Sequence, residues 1–85
     1  SDYELGLGEE EILLQGVIDL FGVTHGAVTV VDFKTDRVSG DGLARRAEEY
    51  RPQLQAYSRA LEQILELPVT RRVLYFFHAG EAVEL

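Results

Sequence analysis

Cysteine, methionine and tryptophan are all absent from this chain of 85 residues. The absence of cysteine excludes disulfide bonds, thiol nucleophiles and zinc–thiolate sites, and it fits a reducing compartment. No apolar run is long enough to span a membrane, and no secretory signal opens the sequence. We therefore expect a cytoplasmic location and no membrane partner.

The length of the chain allows one small domain. Hydrophobic residues make up 46% and charged residues 27% of the sequence, which is ordinary for a globular protein. We therefore expect a folded core and not a disordered tail. Because the sequence begins Ser-Asp-Tyr and contains no methionine, we expect residues 1–85 to be a single domain taken from a longer protein.

Basic residues are too few to balance the acids, and the formal net charge is −7. Nucleic-acid binders usually present a basic face, so the charge argues against tight nucleic-acid binding by this chain alone. A metal-dependent site, however, requires carboxylates, and a bound cation reverses the local electric field. The acidity therefore leaves a metal-dependent enzyme open.

The hydrophobic pattern predicts a strand, a second strand, a helix, a third strand and a short fourth strand. The predicted strands are 11–21, 27–34, 69–78 and 82–85, the first turn is 22–26, and the helix is 43–67. Within the helix, Pro52 either opens a new segment or kinks a continuous one, and Ser39 or Asp41 is expected to cap its start.

The predicted order, ββαββ, indicates an α/β (α+β) domain with a mixed sheet that begins with an antiparallel hairpin. Both strands of the hairpin are apolar on both faces, which predicts a central sheet that is covered on both sides. One long helix packs on this sheet, in two or three layers. Its apolar residues recur at steps of three and four: Tyr50, Leu54, Tyr57, Leu61 and Ile64.

The first hairpin brings two carboxylates and the only lysine of the chain onto one face. A tight turn centred on His25-Gly26 places Asp19 opposite Asp32, with side chains about 5 Å apart. Lys34 follows two residues later and shares that face. Two opposed carboxylates in an apolar sheet repel each other, and a divalent cation would neutralise both. A structural alternative is that both carboxylates reach water near the strand ends, with Lys34 as an ordinary ion-pair partner.

Three segments, taken together, resemble the RecB-type branch of the PD-(D/E)xK nuclease superfamily and, more narrowly, the nuclease domain of AddA-type bacterial helicase–nuclease subunits. Each segment alone is weak, whereas their order and spacing are specific. The segments are Gln15-Gly16-Val17-Ile18-Asp19, Val31-Asp32-Phe33-Lys34-Thr35-Asp36 and Tyr50-Arg51-Pro52-Gln53-Leu54-Gln55-Ala56-Tyr57.

The resemblance implies a restriction-endonuclease-like fold and a role for each matching residue. Asp19 and Asp32 match the two metal-binding carboxylates, and the backbone carbonyl of Phe33 matches a third metal ligand. Lys34 matches the catalytic lysine, which would stabilise charge on the phosphate or orient the attacking water.

The same resemblance assigns Gln53 and Tyr57 to the Gln-x-x-x-Tyr motif of this branch. Residues four apart on a helix project from one face, so both are expected at the site or its rim. For Tyr50 we favour packing, with its hydroxyl reaching water, and for Arg45, Arg46 and Arg51 we favour solvated helix charges. The remaining polar candidates are Gln15, expected on the face of Asp19, and His25 and His78, expected at a turn and a strand end.

The function that the resemblance implies is Mg²⁺-dependent exonuclease cleavage of DNA, with Mn²⁺ as a substitute ion, in double-strand break repair and recombination. The expected partners are a single DNA strand fed by a helicase, which would use ATP outside this sequence, and a partner subunit. Members of this branch carry a further helix upstream that completes the metal site, and we expect this chain to begin after it. The alternative is a non-catalytic scaffold that binds DNA or a partner subunit.

Overall fold

The computed structural model describes residues 20–85, which form a four-stranded sheet and one helix. The sheet has the order β1-β2-β3-β4, with antiparallel pairs at both edges and a parallel pair, β2 and β3, at its centre. This arrangement confirms the predicted mixed sheet and ββαββ order. The elements are β1 (Leu20–Thr24), β2 (Ala27–Lys34), α1 (Asp41–Leu65), β3 (Val69–Phe76) and β4 (Glu81–Glu84).

The first hairpin turns through only two residues, His25 and Gly26. Both have positive φ values, 53° and 75°, as a tight turn between two twisted strands requires. The pairs run from Thr24 with Ala27 to Leu20 with Val31, which is the register expected from a turn centred on these residues. The predicted turn at 22–26 is too long, because β1 continues through Gly22–Thr24. Predicted strand residues 11–19, Asp19 included, lie outside the described residues.

The helix α1 is one continuous segment of 25 residues, Asp41–Leu65, that connects β2 to β3. Pro52 lies inside it and is exposed, so it opens no new helix, although it cannot donate a hydrogen bond to the preceding turn. Neither Ser39 nor Asp41 caps the start: Gly40 occupies that position, with a φ of 57° and no side-chain hydrogen bond.

The end of α1 falls two residues before the predicted limit. Glu66 adopts a left-handed conformation with a φ of 56°, and its N–H donates to the Glu62 carbonyl at 2.9 Å. This is a common way for a helix to end. The Glu62 carboxylate also accepts from the Val69 N–H at 2.8 Å, so one residue joins the helix end to the start of β3.

The core lies between α1 and one face of the sheet. Its fully buried large side chains are Val28, Val30, Leu54, Leu61, Leu74 and Phe76. Residues on β2 alternate between buried and partly exposed, so within the described residues the expected covering of both faces is not observed, and two layers are present. On the opposite face the side chain of Phe33 is 37% exposed. Ile64, predicted to face the core, is 36% exposed.

Residues 20–85 contain no helix that is both long enough and apolar enough to span a membrane.

Candidate active site

Strand β2 presents Asp32 and Lys34 on the face that packs against α1. Their strand neighbours on β3, Leu74 and Phe76, are fully buried core residues. The side chain of Asp32 is 5% exposed and that of Lys34 is 14% exposed. A carboxylate is rarely buried to this extent unless it is paired or bound to a metal. The end of β2 is therefore the strongest candidate for a functional site.

The ammonium group of Lys34 is held by three different partners. Its Nζ lies 3.0 Å from Asp32 Oδ2 and donates a hydrogen bond to Gln53 Oε1 at 2.8 Å. It also lies 4.0 Å from the centroid of the Tyr50 ring, which is within cation–π range. One partner is on the same strand and two are on α1, so packing of the helix on the sheet assembles the cluster.

A second cluster begins at Asp36, just beyond the end of β2. The Tyr50 hydroxyl donates to both of its carboxylate oxygens, at 3.1 Å and 2.8 Å, and the Arg46 guanidinium forms an ion pair with the same carboxylate. Burial raises the pKa of Asp36, but the hydrogen bonds from Tyr50 and Arg46 outweigh burial, so its pKa falls below the ordinary value. Burial and the contact with Asp36 raise the pKa of Tyr50, so the hydroxyl stays protonated as a donor.

Asp32, Lys34 and Gln53 are thus brought together in space, although Gln53 is 19 residues away from Lys34 in the chain. Tyr57 lies one helical turn beyond Gln53, and its side chain is buried in the core at 6% exposure. Gln15 and Asp19 lie outside the described residues.

The backbone carbonyl of Phe33 points toward the β1 side of the sheet. The neighbouring Lys34 carbonyl accepts a hydrogen bond from the Phe77 N–H at 2.9 Å and therefore faces β3. Successive carbonyls along a strand point to opposite sides. Position 33 consequently directs its carbonyl oxygen away from β3 and toward the β1 edge of the sheet.

The donors on β2 are of the chemical type that Mg²⁺ prefers. Mg²⁺ is bound by oxygen ligands, commonly one or two carboxylates completed by water and phosphate oxygens. Asp32 supplies a buried carboxylate and Phe33 an adjacent carbonyl oxygen. Within residues 20–85 no group of three or more His, Asp or Glu side chains is assembled. The oxygen donors of Asp32 and Phe33 therefore fit Mg²⁺ by their chemical type.

Tyr50, Asp36 and Arg46 lie at the site, although the sequence did not predict them there. The Tyr50 hydroxyl, expected to reach water, bonds to Asp36. The Arg46 side chain is 39% exposed on the helix, as expected of a solvated charge, and it also pairs with Asp36. The signal is present in the spacing: Arg46, Tyr50 and Gln53 recur at four and three residues and so share a helix face.

The remaining charged candidates have ordinary surroundings. Arg51 pairs with Glu48 one turn away on exposed helix surface, as expected. His25 lies in the hairpin turn, and His78 is exposed just after β3, also as expected. Arg71, at the start of β3, forms an exposed ion pair with Glu84 of β4.

The sequence matches the profile of the PD-(D/E)XK nuclease superfamily over residues 1–84. It is also similar to bacterial proteins that are named as subunits of an ATP-dependent helicase/nuclease. The identity is 43% with the protein of Carboxydothermus hydrogenoformans, over 89% of this chain and 6% of that protein. The identity is 39% with the protein of Ruminiclostridium cellulolyticum, over 100% of this chain and 6% of that protein. It is also 39% with the protein of Bacillus cereus strain G9842, over 94% of this chain and 7% of that protein. The chain therefore spans only a small part of these relatives.

Proposed function

Because this chain belongs to the PD-(D/E)XK nuclease superfamily, we propose that it is a metal-dependent deoxyribonuclease domain that hydrolyses DNA phosphodiester bonds. The observation that carries the proposal is the buried pair at the end of β2, where Lys34 Nζ lies 3.0 Å from Asp32 Oδ2. A buried carboxylate beside an ammonium group, on a strand that also directs a carbonyl oxygen toward the β1 edge, suits binding of a cation and of a phosphate.

Asp32 and the Phe33 carbonyl would hold Mg²⁺, together with Asp19. The observed hairpin register, in which Leu20 pairs with Val31, is the register from which the sequence predicts Asp19 opposite Asp32. When bound, the ion supplies Lewis acidity toward the phosphate and lowers the pKa of a ligated water. Mn²⁺ is expected to replace it, because both ions accept carboxylate and water oxygens.

Lys34 has the role of an electrostatic stabiliser. Its ammonium group lies beside the proposed metal ligand and is only 14% exposed, so its charge is weakly screened. There it would hold a phosphate oxygen as negative charge develops in the transition state. Gln53 would orient Lys34 through the 2.8 Å hydrogen bond, and Tyr57 would support the same helix face from the core.

The wider setting follows from the relatives, whose names join a helicase to a nuclease. We propose that residues 1–85 act as the exonuclease domain of a longer cytoplasmic protein in double-strand break repair and recombination. An ATP-driven helicase would deliver a single DNA strand to the site, and a partner subunit would complete the complex. The net charge of −7 fits this division of labour, because other parts would then supply most of the basic DNA contacts.

The test is a DNA cleavage assay on the complete protein with Asp32→Ala. We expect loss of Mg²⁺-dependent release of nucleotides that carry a 5′-phosphate, with ATP hydrolysis retained as evidence of an intact protein. A matched control is Asp41→Ala, which removes an exposed carboxylate at the start of α1 and should cut normally. Undiminished cleavage by Asp32→Ala would refute the assignment and favour a non-catalytic scaffold.

A further inference from the structure

Tyr50 contacts both clusters at the end of β2. Its ring faces the Lys34 ammonium group at 4.0 Å, and its hydroxyl donates to Asp36 at 2.8 Å. We propose that Tyr50, anchored by Asp36, is a positioning residue that holds the Lys34 ammonium beside Asp32. This inference rests on the proposed nuclease function for its catalytic meaning, but the positioning itself is measurable without cleavage.

Lys34 needs such a support because its side chain is long and flexible. An ammonium group has three donors on a stem with many rotamers. Asp32 and Gln53 supply two oxygen partners, at 3.0 Å and 2.8 Å. The face of the Tyr50 ring closes the third side and excludes conformations in which the ammonium swings away from β2.

The ring can serve this purpose only if its own orientation is fixed. The hydroxyl reaches both oxygens of Asp36, and Arg46 pairs with the same carboxylate from the preceding turn of α1. Asp36 lies two residues beyond Lys34, so the loop after β2 is tied to the helix at the point where the lysine projects. The order of contacts is therefore Arg46 to Asp36, Asp36 to Tyr50, and Tyr50 to Lys34.

A residue that acts through Lys34 has a distinct kinetic signature. Tyr50 would influence the reaction through its contact with the lysine, so its loss should lower kcat and leave KM for DNA nearly unchanged. A displacement of about 1 Å in a catalytic group can cost roughly 100-fold in rate. Once Lys34 is removed, Tyr50 has nothing to position, and its substitution should have no further effect.

The first readout is the chemical reactivity of Lys34, the only lysine of this chain. The complete protein is treated with acetic anhydride, and acetylation of the peptide containing Lys34 is followed by mass spectrometry. Tyr50→Leu should raise the acetylation rate by about 3-fold to 30-fold, the range that a cation–π contact supplies. Tyr50→Phe, which keeps the ring and loses the bond to Asp36, should give a smaller increase.

Tyr75→Leu is the matched control, since it makes the same change on the opposite face of the sheet, where Tyr75 contacts Phe33 and Phe77. It should leave acetylation of Lys34 unchanged. An unchanged rate in Tyr50→Leu, with amide exchange of α1 as in wild type, would overturn the proposal.

The second readout is cleavage by Tyr50→Leu, Lys34→Ala and the double variant. We expect kcat of Tyr50→Leu to fall by about 100-fold, with the double variant equal to Lys34→Ala. Losses that multiply would mean that Tyr50 acts on the substrate directly and would also overturn the proposal. Absence of Asp32-dependent cleavage in wild type would refute the nuclease function, while the acetylation rates would still decide whether Tyr50 positions Lys34.

Discussion

Lys34 Nζ on β2 and Gln53 Oε1 on α1 are joined by a hydrogen bond of 2.8 Å, across 19 residues of sequence. The two side chains meet because α1 packs on the face of the sheet that carries Asp32 and Lys34. The position of the ammonium group therefore depends on the docking of the helix as well as on the strand. This relationship connects the core packing to the chemistry proposed for the site.

Substitution of Lys34 by alanine should reduce rate much more than metal affinity. The ammonium group would stabilise charge that develops in the transition state, and removal of one such donor costs about 100-fold to 1,000-fold in kcat. The measurement is kcat at saturating DNA as a function of Mg²⁺ concentration. Arg59→Ala, an exposed cation on α1, is the control and should behave as wild type. A loss of metal affinity as large as that of Asp32→Asn would contradict the role given to Lys34.

Truncation of Leu54 should destabilise the sheet–helix unit by about 2–5 kcal/mol. Leu54 is fully buried and lies next to Gln53 on α1, so a cavity there loosens the contact between helix and sheet. Amide exchange of β2 and β3 peptides in the complete protein reports the local opening free energy. Ile64→Ala serves as the comparison, because Ile64 is 36% exposed. Equal exchange in the two variants would mean that the helix packs differently.

Because of Asp36, the stability of the sheet–helix unit should depend on pH in the acid range. Burial raises its pKa, but hydrogen bonds from Tyr50 and Arg46 lower it by more, so its pKa lies below the ordinary value for an aspartate. A carboxylate with a lowered pKa stabilises the folded state above its unfolded pKa, and that stability is lost as pH falls through the folded pKa.

Asp36→Asn should therefore be less stable than wild type near neutral pH, and the difference should shrink below about pH 4. Urea unfolding at a series of pH values, followed by pulsed amide exchange of α1 peptides, measures this difference. Asp41→Asn, at the exposed helix start, should follow wild type throughout. A difference that stays constant down to about pH 3 would show that Asp36 stabilises through shape and not through charge.

Local sequence patterns predicted the helices and strands better than the contacts between them. The spacing of apolar residues located α1 and three strands, and the His25-Gly26 turn predicted the register from Leu20 to Thr24. The left-handed Glu66 has a weak signal, because glycine and not glutamate is the usual residue for that conformation. The helix start at Gly40 was missed because Ser39 and Asp41 offered side-chain caps, whereas Gly40 has none.

The site was predicted in part, for a physical reason. Asp32 and Lys34 share a strand face by simple alternation, and the resemblance supplied Gln53. The contacts of Tyr50 with Lys34 and Asp36 depend on how α1 is rotated and placed on the sheet, which is tertiary information. The pairing of Arg46 with Asp36 has the same origin.

The most direct test of the account is to measure Mn²⁺ binding to the complete protein without nucleotide, by electron paramagnetic resonance. Wild type and Asp41→Asn should bind one more ion than Asp32→Asn, whose side chain keeps the shape of the aspartate but loses its charge. That result would establish Asp32 as a ligand of the catalytic metal. Equal numbers of bound ions in all three proteins, with equal affinities, would contradict the central claim that the end of β2 is a metal-dependent nuclease site.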